Sequence, residues 1–185
     1  VQGEFQQMHH CCRPELSEED YFSIVRGKTA LLIAAACRVG GLFGGADVRA
    51  LAALTTYGLN LGYAFQVVDD LLDYRGDSRR TGKAVGNDLS EGKITLPLIV
   101  ALQRAEANEY ARIAALLQDD RRRAEHFAEI DRFIDRHQGY LAARQRAELL
   151  VNEALAALDV FRRSAAEPSL QVLEDLARYV LSRQN

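Results

Sequence analysis

The chain has 185 residues, and its 23 lysines and arginines nearly cancel 26 aspartates and glutamates, leaving a formal net charge of −3. That balance gives no electrostatic footprint for nucleic acid or for an anionic membrane. Alanine and leucine supply 52 residues, proline only three and tryptophan none; this is an all-α composition, since both residues lose little on entering a helix, and it excludes disorder, collagen and secreted disulfide scaffolds.

A chain this long buries roughly 70% of its unfolded surface, enough for one domain with a real core. The longest uncharged apolar stretches, 30–37 and 94–102, fall well short of the ~20 residues a spanning helix needs. No basic segment precedes an apolar one in the manner of a signal peptide. Cys11, Cys12 and Cys37 are odd in number and show no C-x-x-C spacing, which argues against zinc and against a disulfide framework. The expectation is a cytoplasmic protein without a transmembrane segment.

In chain order, residues 1–12 are mostly polar and end near Arg13-Pro14. Val1 reads as the interior of a helix with no cap before it, as if the chain were cut from a longer protein. Ser17 with Asp20 forms a capping box, with Glu18 and Glu19 in the first turn. The helix it opens is expected to break at the glycine pairs 40–41 and 44–45. Asp47 caps a long apolar helix reaching about Tyr74. Residues 75–92, rich in glycine and charge, read as a long functional loop or a broken helical segment. Pro97 suits the first turn of an apolar helix through 105. Asn108 is expected to cap a helix to Leu117, and Asp119-Asp120 to open one running to about Arg136. Gly139 precedes an amphipathic helix, and Pro168 starts a terminal one carrying Leu170, Leu173, Leu176, Ala177 and Val180 at three-to-four spacing. No segment alternates with period two. The fold is expected to be an all-α bundle.

The unusual segment is 65–74, Phe-Gln-Val-Val-Asp-Asp-Leu-Leu-Asp-Tyr. It ends a helix apolar on most faces, yet carries three carboxylates within five residues. Asp69 and Asp73 are four apart, share a face and repel by ~0.2–0.5 kcal/mol. They also lie toward the helix C-terminus, where the macrodipole disfavours anions. A bound divalent cation resolves both conflicts, and carboxylates with open positions for substrate phosphate suit Mg²⁺. A solvated helix end is the structural alternative. Downstream stand Thr81-Gly82-Lys83, Gly86-Asn87-Asp88 and Glu91-Gly92-Lys93, and upstream Lys28-Thr29. Lysines, glycine-rich backbone and magnesium together make a diphosphate-binding set. Taken alone, Lys28 is a lysine with its stem on an apolar surface and its head in water.

At these residues the chain resembles the trans-isoprenyl diphosphate synthases. The resemblance is carried by residues 27–30 (Gly-Lys-Thr-Ala), by Gly62 and Ala64-Phe65-Gln66 leading into Asp69-Asp70-Leu71-Leu72-Asp73-Tyr74, and by Gly82-Lys83, Asn87-Asp88-Leu89, Glu91-Gly92-Lys93 and Thr95-Leu96-Pro97. Gly3-Glu4, Ala147, Ala154, Leu158, Tyr179-Val180 and Arg183 also fit, so the likeness covers nearly the whole chain. It is nearest in flavour to the bacterial long-chain, octaprenyl-type synthases.

The resemblance implies a helical bundle around a deep cavity, in a homodimer. It implies Mg²⁺ on Asp69, Asp70 and Asp73 as the second of two aspartate-rich motifs, with Asp69 the foremost ligand. Lys28 and Lys83 would grip an allylic diphosphate, Thr29 and Gln66 would line its reacting end, and Lys93 would assist. Departure of diphosphate gives an allylic cation that isopentenyl diphosphate attacks head-to-tail; proton loss to the leaving diphosphate closes the cycle.

The first aspartate-rich motif of that family, and its isopentenyl diphosphate site, would lie ahead of Val1. Asp119-Asp120, followed by Arg121, Arg122 and Arg123, reads as a salt-bridged helix start rather than a substitute. The expectation is therefore that residues 1–185 form one domain, the C-terminal portion of a longer synthase, inactive alone. A non-catalytic subunit of a heteromeric synthase and a class I terpene cyclase are the competing readings; Asn87-Asp88-Leu89-Ser90-Glu91 echoes a cyclase triad at the wrong spacing. Ala34 and Ala35, about two turns beyond Lys28, would open a tunnel wall for a long product, with close helix packing as the alternative.

Overall fold

The computed structural model describes residues 2–75, 86–162 and 167–183. Its helices in chain order are α1 (Gln2–His9), α2 (Glu18–Val25), α3 (Leu31–Phe43), α4 (Val48–Arg75) and the single turn α5 (Asn87–Ser90). Then follow α6 (Leu96–Arg104), α7 (Ala107–Leu117), α8 (Asp120–Glu125), α9 (Phe127–Arg136), α10 (Gly139–Ala157) and α11 (Glu167–Ser182). A π turn, Arg26–Ala30, joins α2 to α3, and a 3₁₀ turn, Leu158–Phe161, ends α10. Among the described residues there is no strand, and the protein is an all-α bundle.

Helix α4 runs through the middle, packed on α3 along one side and on α10 along the other. Its buried positions, including Leu51, Tyr57, Leu61, Ala64, Val67, Val68, Leu71 and Tyr74, spread around much of the helix, which is why its sequence reads as apolar on most faces. Leu98, Ile99, Ile130, Ile134, Leu150 and Leu158 complete the core from the later helices.

Local signals explain most boundaries. The Ser17 hydroxyl accepts the Asp20 N–H at 3.0 Å while the Asp20 carboxylate takes the Ser17 N–H at 3.3 Å, a reciprocal capping box. Asp47 accepts the Ala50 N–H at 2.8 Å. Pro97 sits in the first turn of α6, where its missing N–H has no partner to lose.

Residues 2–9 form a helix, in keeping with the helical start read at Val1. Four expectations are corrected. The pair Gly40–Gly41 does not end α3, which continues to Phe43 and stops at Gly44; a Cβ on Gly41 would stand 2.6 Å from Leu54 Cδ1, so this glycine serves contact with α4 and not a break. The helix expected from Asn108 starts at Ala107, with Glu106 as its cap position. The single helix expected across 119–136 is two, α8 and α9, meeting at His126. Ala34 is 3% exposed and its Cα lies where a Cβ on Gly58 would come to 2.6 Å, so it belongs to the α3–α4 packing; Ala35 is exposed.

Candidate active site

The site is built where the π turn crosses the second half of α4. An inserted residue widens the turn, so the Leu31 N–H reaches back five residues to the Arg26 carbonyl. Such bulges re-aim side chains and recur at functional positions. Here the turn carries Lys28 and Thr29. Helix α1 lies directly against it: a Cβ on Gly3 would come to 2.3 Å from the Lys28 nitrogen, so only glycine permits the contact. From α1, Gln7 accepts a hydrogen bond from Lys28 Nζ at 2.9 Å, and Glu4 stands 3.7 Å away. The Lys28 side chain is 23% exposed, more deeply set than a lysine with its head in water.

Thr29 and Gln66, far apart in sequence, meet by a 2.9 Å bond from the Thr29 hydroxyl to Gln66 Oε1. Gln66 Nε2 then donates to Asp70 Oδ1 at 2.9 Å, and Tyr21 donates to Asp70 Oδ2 at 2.6 Å. Lys28, Gln66, Asp70 and Lys93 share one recess with Gln7 and Tyr21. Burial pushes the Asp70 carboxyl up to about 7, against the lowering effect of its bonds from Tyr21 and Gln66. Tyr21 is held well above the usual phenol range by burial and by Asp70.

The three motif aspartates therefore occupy different surroundings. Asp70 is 3% exposed and directed into the core. Asp69, 46% exposed, faces outward, where Arg183 at the end of α11 approaches within 3.4 Å; the same guanidinium lies 4.6 Å over the Phe65 ring. Asp73, one turn on, accepts the Asp88 N–H at 3.0 Å, and its carboxyl is raised by burial and by the Asp88 charge. Among the described residues no three His, Cys, Asp or Glu side chains converge as a metal site. Asp69 and Asp73 are hard oxygen donors on one helical face, and as such they fit one side of a Mg²⁺ site.

Lys93 is paired twice, with Asp88 at 2.8 Å and Glu91 at 2.7 Å. Burial works against its charge, but these bonds hold it above the usual lysine range. It braces the loop after α5 onto the Asp73 side of the site. Lys83, with Thr81 and Gly82, lies outside the described residues. Asp119 acts as a helix start, accepting the Arg121 N–H at 3.1 Å. Arg123, expected in a polar setting, is 3% exposed and donates to the Leu117 carbonyl at 2.7 Å.

Tyr21, Gln7 and the Arg183–Asp69 contact are the site features sequence reasoning missed. Tyr21 lies two turns before Lys28, a spacing that marks a shared face but names no partner. Arg183 is 114 residues from Asp69, and no local pattern encodes that contact.

The sequence matches the polyprenyl synthetase family over residues 1–134. The chain belongs to that family. It is 38% identical over 161 residues to the octaprenyl diphosphate synthase of Escherichia coli, covering 86% of this chain and 49% of that protein. A decaprenyl diphosphate synthase from Rhodobacter capsulatus has a similar structure, with a TM-score of 0.88, 36% identity, and coverage of 100% of this chain and 56% of that one. A polyprenyl synthase from Caulobacter crescentus, solved with calcium and isoprenyl diphosphate, gives a TM-score of 0.86 at 35% identity, over 100% of this chain and 55% of that one. The chain spans about half the length of the curated relatives it matches. Among the described residues no helix is long and apolar enough to cross a membrane.

Proposed function

We propose that this chain supplies the second aspartate-rich half of the active site of a trans-polyprenyl diphosphate synthase, which adds isopentenyl diphosphate head-to-tail to an allylic diphosphate. The observation that carries this reading is the meeting of Lys28 and Thr29, from the π turn, with Gln66 at a recess one helical turn from Asp69. The Escherichia coli relative is an octaprenyl diphosphate synthase, and the Caulobacter relative was solved with calcium and an isoprenyl diphosphate.

In this reading Asp69 and Asp73 would hold Mg²⁺, with Asp70 supporting their helix from behind. The metal, when bound, supplies positive charge to the diphosphate leaving group. Lys28 binds the diphosphate oxygens, exchanging Gln7 for substrate, and Lys83 is proposed to do the same. Thr29 spends its proton on Gln66, so its oxygen presents lone pairs outward, the polarity that favours a developing allylic cation. Lys93 holds the α5 loop in place. A homodimer, a cytoplasmic location and dependence on the remainder of the family's length belong to the same proposal.

The test is thermal melting with Mg²⁺ and pyrophosphate. Together they should raise the melting temperature more than the sum of their separate effects. Asp69→Ala should abolish that cooperation; an unchanged joint shift in the variant would remove Asp69 from the site. In the gene's full product, Lys28→Ala should lower turnover by ~10²–10³, the loss typical of one preorganised charge-stabilising donor.

A further inference from the structure

The geometry points to Tyr21 as a positioning residue: its hydroxyl, acting through Asp70 and Gln66, sets the face that the Thr29 hydroxyl turns to the substrate. The inference rests on the synthase reading above. It starts from a continuous chain of side-chain hydrogen bonds, Tyr21 to Asp70 at 2.6 Å, Gln66 to Asp70 at 2.9 Å and Thr29 to Gln66 at 2.9 Å.

The chain runs in one sense. Asp70 accepts at both oxygens, so Gln66 must offer it the NH₂ end. The amide oxygen of Gln66 is then left for Thr29, and the Thr29 proton is committed to it. What remains on Thr29 for a ligand is an acceptor. The direction of the whole series is fixed at its buried end, where Tyr21 is 4% and Asp70 3% exposed. Both groups are almost closed to bulk solvent, so a lost donor leaves a buried oxygen short of a partner, which is disfavoured.

The ring of Tyr21 has a separate task. It packs edge-on against Phe22 with centroids 5.2 Å apart, a contact that phenylalanine would preserve. Tyr21→Phe therefore removes the hydroxyl and little else. Without it Asp70 keeps one side-chain donor in place of two, and the carboxylate that orients Gln66 is free to turn about its own bond. Thr29 then loses the fixed acceptor for its proton.

A purely structural role, pinning α2 to α4, would produce a different pattern. If Tyr21 acts through Thr29, Tyr21→Phe in the gene's full product should lower kcat by ~10-fold, within the range of second-layer misplacement, while KM for both diphosphates stays within about twofold. The double variant Tyr21→Phe, Thr29→Val should turn over no more slowly than Thr29→Val alone, because the second change removes the group the first one positions. Losses that multiply would overturn the proposal and return Tyr21 to packing.

A second readout needs no turnover. In ¹⁵N spectra of the 185-residue chain, the Gln66 side-chain amide protons should exchange slowly, and Tyr21→Phe should speed that exchange by ~10-fold or more. Equal exchange in the two proteins overturns the relay. Should Tyr21→Phe fail to fold, Asp70→Asn, which cannot accept at both ends, should give the same faster exchange. Failure of the gene's full product to turn over any allylic diphosphate would sink the synthase reading, and the amide exchange would still decide whether Tyr21 orients Gln66.

Discussion

Asp69 is nearly half exposed beside Arg183, whereas its neighbour Asp70 is 3% exposed and bonded to Tyr21 and Gln66. Their difference follows from the 100° turn between adjacent helical residues, which points one to the rim and the other to the core. A buried carboxyl raised to about 7 from 3.8 makes stability depend on pH. Below about pH 4 both the folded and unfolded chains hold the proton, and Asp70 has no effect. As pH climbs toward 7 the unfolded chain ionises first, so stability falls, and above the folded value the loss is complete. The unfolding free energy from urea titration should therefore drop between pH 4.5 and 7.5, by a few kcal/mol at most from this group. Asp70→Asn should flatten that part of the profile. A variant with the wild-type slope would show that Asp70 ionises normally in the fold.

At the scale of elements, the packing of α3 on α4 depends on small residues. A Cβ added to Gly62 would come to 2.5 Å from the Ala30 Cα, a backbone atom that cannot rotate away. Gly62→Ala must push the π turn off α4, and overpacking of this kind typically costs ~1–3 kcal/mol; urea denaturation measures it, and loss of the Thr29–Gln66 bond should accompany it. Ser17→Ala should cost about 1 kcal/mol by opening the capping box. The boundaries that were legible in the sequence are of this last sort. The Ser17 box, the Asp47 cap and the Pro97 turn are each settled within four residues of chain. Gly41 and Asn108 misled because the deciding partners, Leu54 on α4 and the cap position Glu106, lie outside what a glycine pair or an asparagine signals on its own. For the site, Lys28, Thr29, Gln66 and Asp69 were legible as residue types in an ordered motif. The buried partner of Asp70 was not, since Tyr21 comes from another helix.

For the molecule as a whole, α4 gathers the chemistry by packing against α2, α3, α10, α11 and the π turn. The π turn reaches it from one side and Arg183 returns to Asp69 from the far end of the chain, so residues 114 apart share one rim. What the described residues assemble there is the exposed Asp69 and the half-buried Asp73, with Lys28 and Lys93 lining the adjoining recess and Arg183 on Asp69. A diphosphate carries about three negative charges near neutral pH, and in the synthase reading this chain brings one of the two metal-binding aspartate motifs that neutralise it as it leaves. The 185-residue chain should therefore bind Mg²⁺ and pyrophosphate together but not extend an allylic diphosphate. Incubation with radiolabelled isopentenyl diphosphate and geranyl, farnesyl or geranylgeranyl diphosphate, followed by extraction of dephosphorylated products, measures this directly. Incorporation above a no-enzyme control would mean that these residues alone complete the site. Incorporation by the gene's full product, lost in Lys28→Ala, is the expected contrast.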